Sequence, residues 1–417
     1  MPILFASTRR LGKELSLAFR NLFRHRVRSA VALSSIVFGV AALLVAGGFI
    51  EWIFVNLREA TIRSRLGHIQ ATRPGYFTAG AADPYAFLLP ASSPELDRIT
   101  RNPSVRAVAP RLSFGGLLSH GENTVSFLGE GVDPEKEEDV SRMMAITQGQ
   151  GLSSQEPRAV ILGEGLAASA GISLGDTIVL LATTENGGMN AVEARVRGLF
   201  STYTKAFDDV ALRLPIPLAR ELLRTEGAHT WVLLLDDTGS TDTVLTTLRR
   251  IPVPNAALSF KPWYELADFH KKTVQLFSRQ MGVVNLIIAL IIVMSISNTL
   301  TKSVRERTGE IGTLRATGSK GSEILRLFLF EGLALGIVGG AVGVVVGLLL
   351  SELISAIGIP MPPPPGSNRA YIGEILVTPP LVLKAYAVAL VTALLASIHP
   401  AWKASRLEIV DALRANR

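Results

Sequence analysis

The sequence predicts an α-helical polytopic membrane protein with four transmembrane helices and an α+β extracytoplasmic domain inserted between helices 1 and 2. Three observations lead there. Apolar residues make up 48% of the 417 and charged residues 18%, and the apolar ones gather in long runs of the ~20 residues that a helix needs to cross a ~30 Å hydrocarbon core. Residues 51–280 contain no such run. The net charge of +7 is concentrated where the runs end, as on the cytoplasmic face of membrane proteins. That placement argues against nucleic acid as the partner of a basic chain. There are no cysteines, which excludes disulfides, thiolate metal sites and cysteine nucleophiles.

The elements follow in order. Residues 1–28 carry Arg9, Arg10, Lys13, Arg20, Arg24, Arg26 and Arg28 against Glu14 alone. Leu11, Leu15, Ala18, Phe19 and Leu22 fall at helical spacing, which reads as a cytoplasmic amphipathic helix at the membrane surface. The first span is 29–50, too long for a cleaved signal segment and without a small-residue cleavage site. Residues 51–280 return to mixed polarity. Strands are predicted at Leu112–Leu118, Thr124–Leu128, Thr177–Thr183, Val192–Phe200 and Trp231–Leu235, with Asn186-Gly187-Gly188 as a hairpin turn. Helices are predicted at Pro94–Thr100, Glu164–Ala170, Pro217–Arg224 and Thr241–Arg250. Glu51–Arg65 and Tyr264–Gln280 read as helical stalks. The second span is 281–301, followed by a basic loop, 302–326. The third span is 327–351. A stiff proline-rich connector, 352–380, leads to the fourth span, 381–401, and a basic tail, 402–417. The short-loop charges make both tails and the 302–326 loop cytoplasmic and put 51–280 outside.

Catalytic signatures are missing. No phosphate loop of the Gly-x-x-x-x-Gly-Lys-Ser/Thr type occurs, no His-Glu-x-x-His, and no nucleophile elbow. The six histidines, His25, His68, His120, His229, His270 and His399, are scattered and read as surface or interface residues. The chain is expected to be no enzyme and to bind no cofactor or metal itself.

The third span carries Gly332, Gly336 and Gly340 in one register and Gly339, Gly343 and Gly347 in another. Small residues at this spacing let helix backbones approach closely in lipid. The spacing does not say whether the partner helices belong to the same chain. Glu331 lies at the end of this span, where an ionisable group is either functional or simply at headgroup level. The loop before it places Glu306, Arg307, Glu310 and Arg315 around Ile311 and Leu314, with Gly318 to end a short helix. Apolar knobs with a charged rim suit docking into a partner's groove. Between the first and second spans, Val45, Phe49, Ile287 and Ile291 offer apolar faces with no charge among them, a possible path for a lipophilic substrate.

The stretch Glu306-Arg307-Thr308-Gly309-Glu310-Ile311-Gly312-Thr313-Leu314-Arg315-Ala316-Thr317-Gly318, followed by Ile324-Leu325-Arg326-Leu327-Phe328-Leu329-Phe330-Glu331-Gly332 and the glycine-rich span, resembles the FtsX-like permease family of ABC transporters. The segment Arg20–Arg28 and the order of one span, a large outer domain and three spans resemble it too. Gly39-Val40-Ala41-Ala42-Leu43-Leu44-Val45-Ala46-Gly47-Gly48-Phe49, followed by Leu66-Gly67-His68-Ile69-Gln70 and Pro74-Gly75-Tyr76, looks most like its lipoprotein-releasing branch. The resemblance implies that residues around 303–318 form a coupling helix against a separate ATPase subunit, present in two copies, which would hold ATP and Mg. It implies a second permease copy or a paralogue, a bacterial inner-membrane location, and work by mechanotransmission, in which ATPase closure is relayed to the outer domain. Release of a lipoprotein or other lipophilic substrate is the leading implied function, with a periplasmic carrier or adaptor as a further partner. Efflux or peptide export with a membrane-fusion adaptor, and regulation of a cell-wall hydrolase without transport, stay open.

Overall fold

The computed structural model describes residues 26–80, 82–202, 204–250, 258–361 and 371–408. Residues 1–25 of the amphipathic segment 1–28, most of the proline-rich run, and the tail from 409 onward lie outside the described residues. In chain order, helix α1 is Arg26–Thr61, strand β1 Ile69–Thr72 and α2 Pro94–Thr100. Then come β2 (Val105–His120), β3 (Asn123–Val132), α3 (Pro134–Val140), β4 (Ala145–Gly149), β5 (Ala159–Gly163) and α4 (Glu164–Ala170). They are followed by β6 (Thr177–Thr183), β7 (Met189–Ser201), β8 (Ala211–Pro215), α5 (Ile216–Leu223), β9 (Thr230–Leu235), α6 (Thr241–Leu248) and β10 (Ser259–Pro262). The chain continues with α7 (Asp268–Glu306), α8 (Thr308–Ala316), α9 (Gly321–Ile357) and α10 (Pro379–Ser405). It divides into a membrane unit (1–54, 274–359, 372–417) and an inserted domain (55–273, 360–371).

In the membrane unit, α1, α7, α9 and α10 are long and apolar enough to span. At 1.5 Å per residue the 36 residues of α1 and the 39 of α7 reach about 54 and 58 Å, well beyond a ~30 Å hydrocarbon core. The two glycine registers of α9 face two different helices. A Cβ built on Gly336 would stand 2.8 Å from Ala393 Cβ, and one on Gly340 2.9 Å from the Tyr386 ring, both on α10. A Cβ on Gly339 would stand 2.9 Å from Ile36 Cβ, one on Gly343 2.7 Å from Val40 Cβ, and one on Gly347 2.7 Å from Leu44 Cδ1, all on α1. Gly332 extends the first register to Ser397. The partners are therefore intramolecular: α9 is wedged between α1 and α10 with almost no side chain in between. Helix α7 joins by a single edge. Ile292 closes over Gly39, Ser295 Oγ lies 2.7 Å from Ser35 Oγ, and Ile296 and Leu300 complete the buried row. Its other faces, with Leu286, Leu290 and Met294, are exposed.

The inserted domain is organised by β2, whose two halves serve two parts of one ten-stranded sheet. Its first half pairs with β9 in the antiparallel order β10-β1-β9-β2. One face of this sheet packs Ile69, Trp231, Leu233 and Leu235 under Ile99 of α2 and Leu245 and Leu248 of α6. The other packs Ala109, Val232 and Leu234 against Ile62, Val140 and Trp263. The second half of β2 pairs with both β3 and β6, and the circuit β2-β3-β8-β5-β7-β6 closes on itself. Closure removes exposed strand edges. Leu118, Phe127, Leu162, Ile178, Leu180, Val196, Leu212 and Leu214 belong to the core of this half, capped by α4 and α5.

Several boundaries differ from the sequence expectations. Strand β2 runs from Val105, not Leu112, because Pro110 and Arg111 interrupt the apolar pattern without interrupting the pairing to β9. Strands β1, β4, β5, β8 and β10 were not anticipated. β1, β5 and β8 are buried on both faces, so they show no alternation. The second stalk is not one helix: Ala267, at φ −93° and ψ 65°, separates a single turn, Trp263–Leu266, from α7.

Candidate functional site: the loop between the second and third spans

Helix α7 ends at Glu306 and the chain bends at Arg307 (φ −101°, ψ 14°) into α8. Gly318, at φ 100°, ends α8. Its N–H donates to Arg315 O at 3.2 Å, and the Ser319 N–H to Leu314 O at 3.0 Å. This is the paired C-terminal bonding that needs a left-handed residue, and glycine adopts it without strain. Lys320 N–H then donates to Glu323 Oε2 at 3.2 Å as α9 begins.

The side chains of α8 divide into two sets. Ile311 is buried among Val304, Ile324, Phe328, Ala401 and Ala404. Arg307 Nε donates to Glu310 Oε2 at 3.0 Å and Nη1 to Glu331 Oε2 at 3.3 Å, with the guanidinium 5.6 Å from the Phe328 ring centre. Arg315 Nη1 donates to Ser405 O at 2.8 Å, a cation on the last carbonyls of α10, where the helix dipole favours it. Glu306, Glu310, Thr313 and Leu314 are exposed. Of the six residues singled out in the sequence, Arg307, Ile311 and Arg315 thus bind α8 to the ends of α9 and α10, and Glu306, Glu310 and Leu314 form the outward stripe. Glu331 is the buried anchor of Arg307. Its place at a span end was visible in the sequence, but its partner was not.

The family model described as FtsX-like permease C-terminal matches residues 282–409, and the MacB-like periplasmic core domain model matches residues 29–251. The chain belongs to the FtsX-like permeases of ABC transporters. This permease is 26% identical over 335 residues to the lipoprotein-releasing system transmembrane protein LolE of Haemophilus influenzae, across 76% of its own length and 80% of LolE. It is 27% identical over 419 residues to the macrolide export ATP-binding/permease protein MacB of Hyphomonas neptunium, across 97% of its length and 61% of MacB. Among solved structures, the periplasmic region of MacB from Actinobacillus actinomycetemcomitans covers 52% of the permease at 14% identity with a TM-score of 0.38.

Within the inserted domain of the permease, the chain leaving α1 passes through a π-helical turn, Ile62–Leu66, of the kind found at functional sites. A buried charge cluster grips it. Arg213 on β8 is fully buried. Its Nε donates to Glu130 Oε2 at 2.9 Å, Nη1 to Ser141 Oγ at 2.7 Å, and Nη2 to Ser64 O at 3.5 Å. Arg111 on β2 holds Glu137 of α3 through Nε at 3.1 Å, and its Nη1 donates to Arg65 O. Arg65 completes the ring with Nε 3.4 Å from Glu130 Oε1. Burial by itself would raise the Glu130 carboxyl, but Arg213, Arg111 and Arg65 bring it down to about 2. Sequence reading missed this cluster because its members are far apart in the chain.

Two histidines read from sequence as surface or interface residues are buried in this domain. His68 Nδ1 accepts the Leu235 N–H at 3.0 Å, so its proton is on Nε2, donated to Thr238 Oγ1 at 3.0 Å. Thr238 in turn donates to Glu59 Oε1 at 2.9 Å. His229 Nδ1 accepts the Ser113 N–H at 3.1 Å, Nε2 faces Pro84 O at 3.1 Å, and the ring stacks on Tyr76. Burial pushes both imidazoles down to about 4.

The four apolar residues marked for a substrate path differ in their surroundings. Ile287 and Ile291 lie on the exposed side of α7, Val45 is half-buried, and Phe49 lies against Gly373. The membrane unit instead has a 220 Å³ cavity between α1, α7 and α10, lined by Leu43, Gly47, Glu51, Asn285, Lys384 and Val388 among others.

Proposed function

We propose that this permease couples a separate ATPase, two copies of which bind ATP and Mg, to release of a lipid-anchored or other lipophilic substrate from the bacterial inner membrane. The observation that carries the proposal is α8. Its inner face is tied to α9 through Arg307 and Glu331 and to α10 through Arg315, while Leu314 and the acidic stripe stay outside. A push on that outer stripe moves the ends of two membrane helices together rather than bending a loop. At the other end of α1, the Arg213 cluster turns the π-helical segment and the domain sheet into one stiff piece, which suits a relay of motion. Both termini and α8 are cytoplasmic in this reading, and the inserted domain is periplasmic. A second permease copy or a paralogue completes the membrane part, and a periplasmic carrier or adaptor receives the substrate.

The similarity to LolE supports a lipid-anchored substrate. Each buried methylene is worth ~0.8 kcal/mol, so a multiply acylated protein is held by tens of kcal/mol and does not leave without work. Export with an adaptor is the second reading, favoured by the similarity to MacB over 97% of the chain. One experiment separates them. A photoreactive residue at Ile291 is introduced into the full permease with its co-purifying ATPase, in cells labelled with acyl-chain probes. ATP-dependent adducts to acylated proteins support lipoprotein release. Adducts to soluble peptides or drugs overturn it in favour of export. Because the chain has no cysteine, single cysteines at Thr317 and Asn186 report topology directly. Labelling of the Asn186→Cys variant from the cytoplasm would overturn the orientation.

A further inference from the structure

The cavity between α1, α7 and α10 differs from the rest of the membrane unit in its polar groups. Lys384 is the only Lys, Arg, Asp or Glu between Leu381 and Ala401, and it lines the same cavity as Glu51 and Asn285. Among the described residues, none of the three side chains has a hydrogen bond or ion pair, and the two opposite charges do not pair with each other. Charged and amide groups at this depth are costly unless something satisfies them.

Their heights are set by packing. A Cβ on Gly47 would lie 2.7 Å from Leu381, and Leu376 N–H donates to Gly48 O at 3.0 Å, so Gly47 and Leu381 are level. Helical rise then places the Glu51 backbone about 6 Å farther along α1, toward the inserted domain, and that of Lys384 about 4.5 Å in the opposite direction. Asn285 lies on the facing side of α7, and Leu43 and Val388 continue the cavity inward with apolar surface. From the bilayer interior outward the backbones therefore stand in the order apolar wall, Lys384, Glu51, with Asn285 lining the same cavity from α7. A phospholipid with a primary ammonium headgroup has the complementary order: acyl chains, phosphate, ammonium. At 220 Å³ the cavity is below the ~300–1,000 Å³ of drug-sized pockets, which suits a headgroup whose chains remain in the bilayer.

We propose that this cavity binds the headgroup of a zwitterionic phospholipid, with the phosphate on Lys384 and Asn285 and the ammonium on Glu51. Binding requires no ATPase, so its failure would leave the transporter reading intact. The test uses the full permease in nanodiscs made of equal amounts of phosphatidylethanolamine and phosphatidylglycerol, with retained lipid measured by native mass spectrometry. The wild type is expected to retain the ethanolamine lipid preferentially. Lys384→Met should reduce retention by roughly tenfold or more, the factor for losing one charge-assisted hydrogen bond, whereas Lys384→Arg should keep most of it. Glu51→Gln should remove the preference for ethanolamine over glycerol headgroups, and it tests the site even if Lys384→Met does not fold. Equal retention of both lipids by the wild type would overturn the proposal, as would unchanged retention in Lys384→Met and Glu51→Gln. Displacement of the lipid by soluble phosphoethanolamine at equal concentration would overturn the membrane lipid as the occupant.

Discussion

The membrane unit and the inserted domain are held together in different ways. In the membrane unit, α9 meets α1 and α10 through glycines, and the contacts are backbone against side chain with little polar bonding. Lipid is as apolar as leucine, so burying leucine there has little driving force and close fit takes over. The inserted domain buries apolar cores along its sheet and places three arginines and two glutamates between that sheet and the end of α1. Burial is rewarded there because the alternative is water, and buried charge is tolerated because each group is paired. One unit depends on shape, the other on charge and neutral histidines, so they should fail under different perturbations.

Acid should separate them most. His68 and His229 have folded pKa values of about 4 against ~6.5 when unfolded. A lowered histidine pKa means that the unfolded state binds more protons between those values. Their stabilisation is fully present above pH ~6.5 and is lost as pH falls toward 4, at up to ~1.4 kcal/mol per pH unit for each. Hydrogen exchange on the full chain should show β9 loosening across this window while α9 stays protected. Equal loosening of both would contradict the contrast. Double replacement of His68 and His229 by glutamine should flatten the response.

Arg213→Met comes next. It leaves Glu130 and Glu137 short of a buried partner, with an expected loss of about 3–5 kcal/mol, confined to the inserted domain. A thermal unfolding curve with an unchanged midpoint would mean that the cluster is not needed for stability.

Gly343→Leu and Gly336→Leu are the corresponding tests of the membrane unit. Overpacking typically costs about 1–3 kcal/mol. Gly343→Leu should separate α9 from α1, and Gly336→Leu should separate it from α10. Cysteine crosslinks across each pair would show which contact opens. Crosslinking undisturbed in both would make the glycines incidental.

The smallest effect on stability should come from Leu314→Glu, an exposed substitution expected to stay within about 0.5 kcal/mol, yet to weaken ATPase association or coupling. Arg315→Glu should do the reverse in part, destabilising the end of α10 before it affects the partner. If Leu314→Glu keeps full ATPase stimulation, the outward stripe is not the docking surface.

Local chemistry made much of this architecture legible. Helix α2 was readable at its start because Ser93 accepts the Leu96 N–H and a proline follows at the first helical position, a standard start signal. Helix α4 ends at Gly171 in the left-handed region, and Thr177–Thr183 alternates buried with less buried positions. Strands β5 and β8 lacked that alternation because both their faces are covered, and short fully buried strands resemble any apolar run.

By itself, the sequence determined the four spans, the α+β insertion, the glycine registers of α9 and the short helix after α7. All of these are local patterns with a period of two or 3.6 residues, or runs whose length alone is informative. Only the tertiary structure decided which helix each glycine register meets, that Arg315 binds the end of α10, that Arg213 shares Glu130 with Arg65, and that Lys384 lines a cavity with Glu51 and Asn285. The physical reason is that these pairings depend on how distant segments pack, and a side chain carries no record of a partner dozens to hundreds of residues away until the chain has folded.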